Sequence, residues 1–224
     1  ILYLNIILTQ GFSPINNDEL NFTQVFFEWP QISDAKVYEF SIQNNQGFNF
    51  TSVDSSNILF VSNDFLEWDK EYTWQVCGFN DNNLIQCHPE YNFTIIQFPE
   101  YIYNSIYIYQ LGEDIIENEF VLIGGYIRNF GTYSLGIDYN GIPFYYLQDS
   151  GTLDLTDNGN LLVYNKPTVG EVDLQGNPIF TSPDDAVYHH DIFKTPYNTY
   201  LTLANVYEFD ECPNECGEVY TDGI

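Results

Sequence analysis

Two adjacent histidines followed by an aspartate, His189-His190-Asp191, bring chemically versatile side chains together in one short segment. A neutral imidazole can act as a nucleophile near pH 7, and a protonated imidazole can donate hydrogen bonds to an anion such as sulfate. A carboxylate beside a histidine can fix its tautomer, so Asp191 is a candidate for orienting a neighbouring ring. The segment is therefore a candidate anion-binding or group-transfer site. The alternative is that the two histidines pack at the end of a strand without chemistry.

The chain offers few cations to support such a site. Lys and Arg number 5 against 32 Asp and Glu, which gives a formal net charge of -27. In the second half, Arg128, Lys166 and Lys194 are the cations, and none lies in a recognisable anion motif. The charge argues against nucleic acid or anionic lipid as a partner. It is compatible with solubility alone, or with cations or basic partners.

The four cysteines fall in two close pairs, Cys77 with Cys87 and Cys212 with Cys216. Three pairings are possible, and the two local ones are favoured because each closes a short loop. Zinc is the alternative ligand, but Cys212 and Cys216 have acidic neighbours and no nearby histidine. We therefore expect two disulfides and no metal site. Disulfides are typical of an oxidising compartment.

Three Asn-Phe-Thr sequons, at Asn21, Asn49 and Asn92, lie in the first half of the chain. With the paired cysteines they predict a secreted, extracellular glycoprotein. The apolar residues 1–9 are too short to span a membrane. They form either the end of a signal peptide or a strand that joins a sheet edge, in this chain or in a neighbouring subunit. We expect no membrane span, and self-assembly through this strand is one mode of association.

The first half reads as short strands that are separated by turn residues. Alternation is clearest in Lys36–Ile42 and Glu71–Val76, which is typical of a β-sandwich. Three segments with aromatic residues follow in order: Phe27–Pro30, Ala35–Phe40 and Leu66–Val76. This order resembles a fibronectin type III domain over roughly residues 12–97. This resemblance implies that Trp29 and Tyr72 are core residues.

A repeat organises the second half. The segment Gly136–Gly141 matches Glu171–Gly176, and each Asp-x-x-Gly predicts a tight turn between strands. A repeat of roughly 35–45 residues with several strands is the size of a propeller blade. Asp154–Asn160 has some features of a calcium loop, but it lacks the spacing of an EF-hand, which favours a simple turn.

The segment Ala186–Leu203, which contains His189-His190-Asp191, resembles the arylsulfotransferase family, together with the turns near Asn160 and Gly176. The resemblance covers about residues 12–224. It implies an immunoglobulin-like domain followed by a β-propeller, and sulfuryl transfer between phenols through a transient sulfo-histidine. It also implies that the His-His-Asp segment binds the sulfate and that the nucleophilic histidine lies beyond Ile224. The family's Pro-Asn-Gly-Asn turn is altered here to Pro196-Tyr-Asn-Thr199.

We therefore predict an all-β protein: an N-terminal fibronectin type III-like β-sandwich followed by a partial β-propeller. The expected parts are an apolar strand or signal remnant (1–11), the sandwich (12–97) and the first propeller blades (98–224). The predicted activity is sulfuryl transfer between small phenolic sulfate esters and phenols, without a cofactor. The alternative is a non-catalytic, glycosylated structural or adhesive protein that assembles by strand addition. A third is binding of glycans or other ligands by the propeller face.

Overall fold

The computed structural model describes residues 11–62, 65–81, 83–103, 120–127, 130–165, 167–184, 187–208 and 219–223. The chain divides into two compact units, residues 1–108 and 109–224. Apart from the short helix α1, Glu100–Tyr103, the regular structure of the described residues is β-strand, which confirms the all-β prediction. Within these ranges no helix has the length and apolar character needed to cross a membrane.

The described part of the first unit contains two sheets. Its strands are β1 Asp18–Leu20, β2 Val25–Glu28, β3 Val37–Asn44, β4 Asn49–Asp54, β5 Ile58–Val61, β6 Lys70–Asn80, β7 Asn83–Cys87 and β8 Tyr91–Ile95. The larger sheet has the order β1-β8-β6-β3-β4, with β7 also paired to β6, and the smaller sheet consists of β2 and β5. Only the β1–β8 pairing among these is parallel.

The two sheets enclose an aromatic core. Alternate residues of β3 and β6 point into it, so each strand buries one apolar row and exposes the other. The buried rows are Tyr38, Phe40 and Ile42 in β3, and Tyr72, Trp74 and Val76 in β6. From the smaller sheet, Phe27 packs edge-on against Phe40 and Trp74, with ring centroids 4.8 and 5.3 Å apart. Edge-to-face packing of this kind stabilises a core beyond the burial of its area.

The two residues predicted to anchor this core are both buried. Trp29 is 2% exposed and Tyr72 is 1% exposed. The Tyr72 hydroxyl accepts a hydrogen bond from the backbone N–H of Glu67 at 2.8 Å, and burial raises the pKa of Tyr72. The phenol therefore stays neutral and ties the loop before β6 to the core.

A disulfide joins Cys77 and Cys87, which face each other directly in the β6–β7 pair. The other predicted pair, Cys212 and Cys216, lies outside the described residues, and so does the apolar segment 1–9.

Antiparallel sheets follow one another along the second unit. Its described strands are β9 Phe120–Ile127, β10 Gly131–Asp138, β11 Pro143–Gln148, β12 Gly151–Leu155, β13 Leu161–Asn165, β14 Thr168–Val172, β15 Pro178–Thr181, β16 Val187–Lys194, β17 Tyr200–Glu208 and β18 Val219–Gly223. They form a β9–β11 sheet, a β12–β15 sheet and a β16–β18 sheet, in each of which strands that are consecutive in sequence are neighbours. Consecutive meander sheets of three or four strands are consistent with a partial β-propeller.

Close backbone contact holds the β9–β11 sheet against the β12–β15 sheet. A Cβ atom added to Gly124 would lie 2.0 Å from the carbonyl oxygen of Thr152, so only glycine fits there. The fully buried Ser134 hydroxyl donates to the Ser150 carbonyl at 2.5 Å and accepts from the Thr152 N–H at 2.9 Å. The β9–β10 register runs through Gly124 and Gly125 without a shift. Gly124 therefore serves sheet-to-sheet packing.

Four hairpin turns of this unit share one geometry. They comprise Asp138–Ile142, Thr156–Asn160, Asp173–Asn177 and Thr195–Thr199. In each, the N–H of the fourth residue donates to the carbonyl of the first, and the first residue's side-chain oxygen accepts from the N–H of the fifth. The fourth residue has a positive φ, which suits glycine. The predicted Asp-x-x-Gly turns are thus present, and the Asp154–Asn160 segment forms a turn of the same kind.

Candidate functional site

The His189-His190-Asp191 segment lies in a bulge of β16. Tyr188 pairs with Ala204 of β17 and Ile192 pairs with Thr202, so three residues of β16 lie opposite the single residue Leu203. A bulge re-aims the residues that it contains, and bulges are over-represented next to active sites. The structure describes the backbone of both histidines, and their side chains lie outside its described part.

Both ends of the bulge are attached to neighbouring strands. Before it, the backbone N–H of Tyr188 donates to the Pro167 carbonyl at 3.2 Å. After it, Ile192 is 2% exposed and packs in an apolar cluster with Leu162 and Val169 of the β12–β15 sheet. Across the strand, the Thr202 hydroxyl donates to the Asp191 carbonyl at 2.7 Å. The Asp191 side chain itself is exposed.

A buried carboxylate, Glu171, lies on the same face of the β12–β15 sheet as this apolar cluster. Its side chain is fully buried, and its cross-strand neighbours are Leu162 and Phe180. A carboxylate in apolar surroundings is strongly disfavoured unless it is paired and hydrogen-bonded. Glu171 therefore requires hydrogen-bond donors from the residues packed around it.

Three side chains supply those donors. The Lys194 ammonium lies 2.6 Å from Glu171 Oε2 and 2.8 Å from Oε1. The Tyr200 hydroxyl donates to Oε2 at 2.6 Å, and the Asn160 amide donates to Oε1 at 2.6 Å. The Tyr200 ring also stacks flat on Phe180, with centroids 3.9 Å apart. We call Glu171, Lys194, Tyr200 and Asn160 the Glu171 network.

The pKa directions follow from these contacts. Burial pushes the pKa of Glu171 up, but hydrogen bonds from Lys194, Tyr200 and Asn160 outweigh it, so the pKa lies below its ordinary value. The hydrogen bond to Glu171 raises the pKa of Lys194. Burial, and then the hydrogen bond to Glu171, raise the pKa of Tyr200. At neutral pH the network thus holds a carboxylate, an ammonium and a neutral phenol.

The Glu171 network was not predicted from the sequence, although the sequence contains one sign of it. The repeat aligns Glu171 with Gly136, so one repeat carries a carboxylate in a strand where the other has no side chain. Lys194 was assigned to no anion motif, and the structure pairs it with this internal carboxylate. Lys166 and Arg128 lie outside the described residues.

A cleft of about 470 Å³ opens between the Thr156 and Thr195 turns. Its lining includes Asp154, Asp157 and Lys194. The ammonium of Lys194 is already paired with Glu171, and two carboxylates remain. The cleft is therefore poorly suited to a sulfate group. Among the described residues, no group of three or more His, Cys, Asp or Glu side chains could hold a metal ion.

The three sequons differ in accessibility. Asn49 is exposed at the start of β4, and Asn92 is half-buried in β8, where its side-chain oxygen accepts from the Thr73 hydroxyl at 2.8 Å. Asn21 is 7% exposed, and Thr23 of the same sequon is 1% exposed. Of the three, Asn49 offers the freest attachment point for a glycan.

Comparison with known proteins agrees with the resemblance in the second unit. The profile of the family described as Arylsulfotransferase (ASST) matches residues 107–224, which is just over half of the chain and includes every residue of the Glu171 network and of the bulge. No curated protein matches the chain significantly. From the extent of the family match, the chain belongs to the arylsulfotransferase family.

Proposed function

We propose that this protein transfers sulfuryl groups between phenolic sulfate esters and phenols, with the His189–Asp191 bulge as part of its sulfate-binding site. The observation that carries the proposal is the position of the bulge: the His-His-Asp segment of a family member coincides with two extra residues in β16. A bulged strand presents side chains at angles that a regular strand cannot, which suits groups that converge on one anion.

The proposed reaction exchanges one sulfate ester for another. The S–O bond to the donor phenol breaks as a histidine nitrogen bonds to sulfur, and the donor leaves as a phenol after gaining a proton. The acceptor phenol then attacks the sulfur, the N–S bond breaks, and the acceptor's proton is released. Charge spreads over the sulfuryl oxygens in both steps, so hydrogen-bond donors from His189 or His190 would stabilise the transition states.

The test is transfer from an aryl sulfate to a phenol by the full-length protein. Release of 4-nitrophenol from 4-nitrophenyl sulfate is expected to depend on an added phenol acceptor. His189→Asn and His190→Asn separately identify which ring contributes, and a loss of about a hundredfold or more in kcat/KM is expected for that one. Phe193→Ser, on an exposed residue of the same strand, is the control. No acceptor-dependent release by folded wild-type protein would refute the proposal.

This activity is proposed for a secreted, glycosylated protein. The Cys77–Cys87 disulfide supports an oxidising compartment, and Asn49 supports glycosylation in its first unit. We further propose that the first unit is a fibronectin type III-like domain over residues 12–97, following the apolar segment 1–11. The meander sheets support a β-propeller beginning near residue 98.

One observation favours the structural or adhesive alternative. On the outer face of the smaller sheet, Phe26 and Phe60 are paired across β2 and β5 with ring centroids 4.8 Å apart, and they are 64% and 46% exposed. Exposed aromatic pairs favour association. Under this alternative, Phe26→Ser/Phe60→Ser would abolish self-association of the purified protein in analytical ultracentrifugation. A monomeric wild-type protein would count against it.

A further inference from the structure

We infer that Glu171, Lys194 and Tyr200 are positioning residues that set the register of β16 and thereby hold the His189–Asp191 bulge in place. The inference deepens the proposed function and rests on it for its kinetic consequences, while its structural part can be measured without activity. None of these three residues is assigned a contact with substrate.

Lys194 and Tyr200 hold the same carboxylate from two neighbouring strands. They are direct cross-strand partners in the β16–β17 pair, and both reach the carboxylate of Glu171 in β14. One buried carboxylate thus contacts two strands of the β16–β18 sheet at directly opposite positions. The Lys194 side chain is only 17% exposed, and its ammonium contacts both oxygens of Glu171.

A register shift of β16 would break the contact between Lys194 and Glu171. Side chains of a strand alternate between its two faces, so sliding β16 by one residue would turn Lys194 away from Glu171. The carboxylate would then be buried without its cation, which is strongly disfavoured. Ile192, two residues earlier, would leave the apolar cluster with Leu162 and Val169 in the same movement. The network therefore selects one register.

The register of β16 also holds the bulge, because residues on both sides of the bulge are fixed. Tyr188 is fixed before the bulge by its hydrogen bond to Pro167, and Ile192 and Lys194 are fixed after it. With both ends held, the surplus residues opposite Leu203 cannot be removed by slippage along β17. Buried polar groups specify register in some other folds, and here the specified feature would be the displaced His-His-Asp backbone.

The experiment compares Lys194→Met and Tyr200→Phe with Val169→Ala in the full-length protein. Val169 belongs to the same interface but not to the Glu171 network, so its truncation weakens packing and leaves the charges in place. Hydrogen exchange followed by mass spectrometry or NMR reports the amides of residues 189–192. We expect them to exchange about tenfold faster in Lys194→Met, more modestly faster in Tyr200→Phe, and least affected in Val169→Ala, which weakens the packing of Ile192 but keeps the charges that set the register. Lys194→Arg, which keeps a cation, should restore protection.

The kinetic readout separates positioning from general destabilisation. Loss of bulge geometry should raise KM for the aryl sulfate about tenfold in Lys194→Met, whereas Val169→Ala should lower only the amount of active protein. If bulge amides in Lys194→Met and Tyr200→Phe exchange no faster than in Val169→Ala, the positioning role is wrong. If wild-type protein shows no transfer, the proposed function fails, and hydrogen exchange alone still decides the structural part.

Discussion

Asn198 occupies the place in its hairpin turn that Gly176 occupies in the turn before it. Each is the fourth residue of the turn, its N–H donates to the carbonyl of the first residue at 3.0 Å, and its φ is positive, 60° for Asn198 and 88° for Gly176. Asparagine enters the left-handed region more readily than other residues with a Cβ atom. The altered sequence Pro196-Tyr-Asn-Thr199 therefore keeps the turn geometry of the repeat.

Asn198→Val should destabilise the second unit by about 1–2 kcal/mol, because a β-branched residue is strained at positive φ. Asn198→Gly should be within about 0.5 kcal/mol of wild type, since glycine relieves strain but gains freedom when unfolded. Urea unfolding followed by tyrosine fluorescence measures both. Tyr197→Ala, at an 89% exposed neighbour, is the matched control. Equal stability of the valine and glycine variants would contradict the assigned turn.

Gly124→Ala should destabilise the packing between the β9–β11 and β12–β15 sheets by about 2 kcal/mol. The added Cβ would meet the Thr152 carbonyl oxygen at 2.0 Å, and a backbone atom cannot move aside as a flexible side chain can. Thermal unfolding gives the loss. Gly11→Ala, where nothing lies within 4 Å of the added atom, should leave the midpoint unchanged. A neutral Gly124→Ala would show that the two sheets are not in this contact.

Lys194→Met should reverse the pH dependence that Glu171 contributes. In the wild type, the pKa of Glu171 lies below its ordinary value of 4.5, so its stabilising effect is present above pH 4.5 and is lost as pH falls through the lowered value. Without Lys194, we expect the effect of burial to outweigh the two remaining hydrogen bonds from Tyr200 and Asn160, so raising the pH would ionise a poorly paired carboxylate and destabilise the protein. We expect the Tm of the variant to fall, relative to wild type, by on the order of 5 °C more at about pH 8 than at about pH 5.

The control for this pH series is Lys36→Met. Lys36 pairs with Asp81 at 2.9 Å, but both side chains are mostly exposed, so removing the cation should have little effect at either pH. A Lys194→Met variant with the same small, pH-independent change would mean that Glu171 is not buried as described.

Glycan occupancy should follow accessibility. In protein expressed through a eukaryotic secretory pathway, we expect modification at Asn49 and an unmodified Asn21, because a glycan on a residue only 7% exposed would disrupt its surroundings. Peptide mapping before and after enzymatic deglycosylation identifies the sites, and Thr51→Ala should remove the Asn49 glycan alone. Full occupancy at Asn21 in folded protein would contradict the burial described for that segment.

The sequence predicts best what depends on local pattern. The alternating rows of β3 and β6 are visible because side chains of a strand point alternately to core and solvent. Three of the four hairpin turns are visible because Asp or Thr and a glycine occur at fixed offsets, and the fourth has Asn198 in place of the glycine. Strands β4 and β7 contain no fully buried residue, so they lack the apolar row by which a strand is recognised in the sequence.

Features that depend on pairing between distant residues cannot be predicted from the local sequence pattern. The bulge is a count of residues between Tyr188 and Ile192 relative to β17, and only the register reveals it. The Glu171 network joins β14 to the hairpin of β16 and β17, so Glu171 and Lys194 appear in the sequence as two unrelated charges. The other repeat has Gly136 at the position that aligns with Glu171, and this difference is the one local sign that the position is unusual.

The aromatic core of the first unit gives the protein a built-in optical reporter. All three tryptophans, Trp29, Trp68 and Trp74, belong to that unit, whereas the second unit contains tyrosine but no tryptophan. Emission excited at the long-wavelength edge therefore follows melting of one half of the chain alone, and total aromatic emission follows both. Comparing the two signals in a single titration reveals, without labelling, whether the halves unfold together or in sequence.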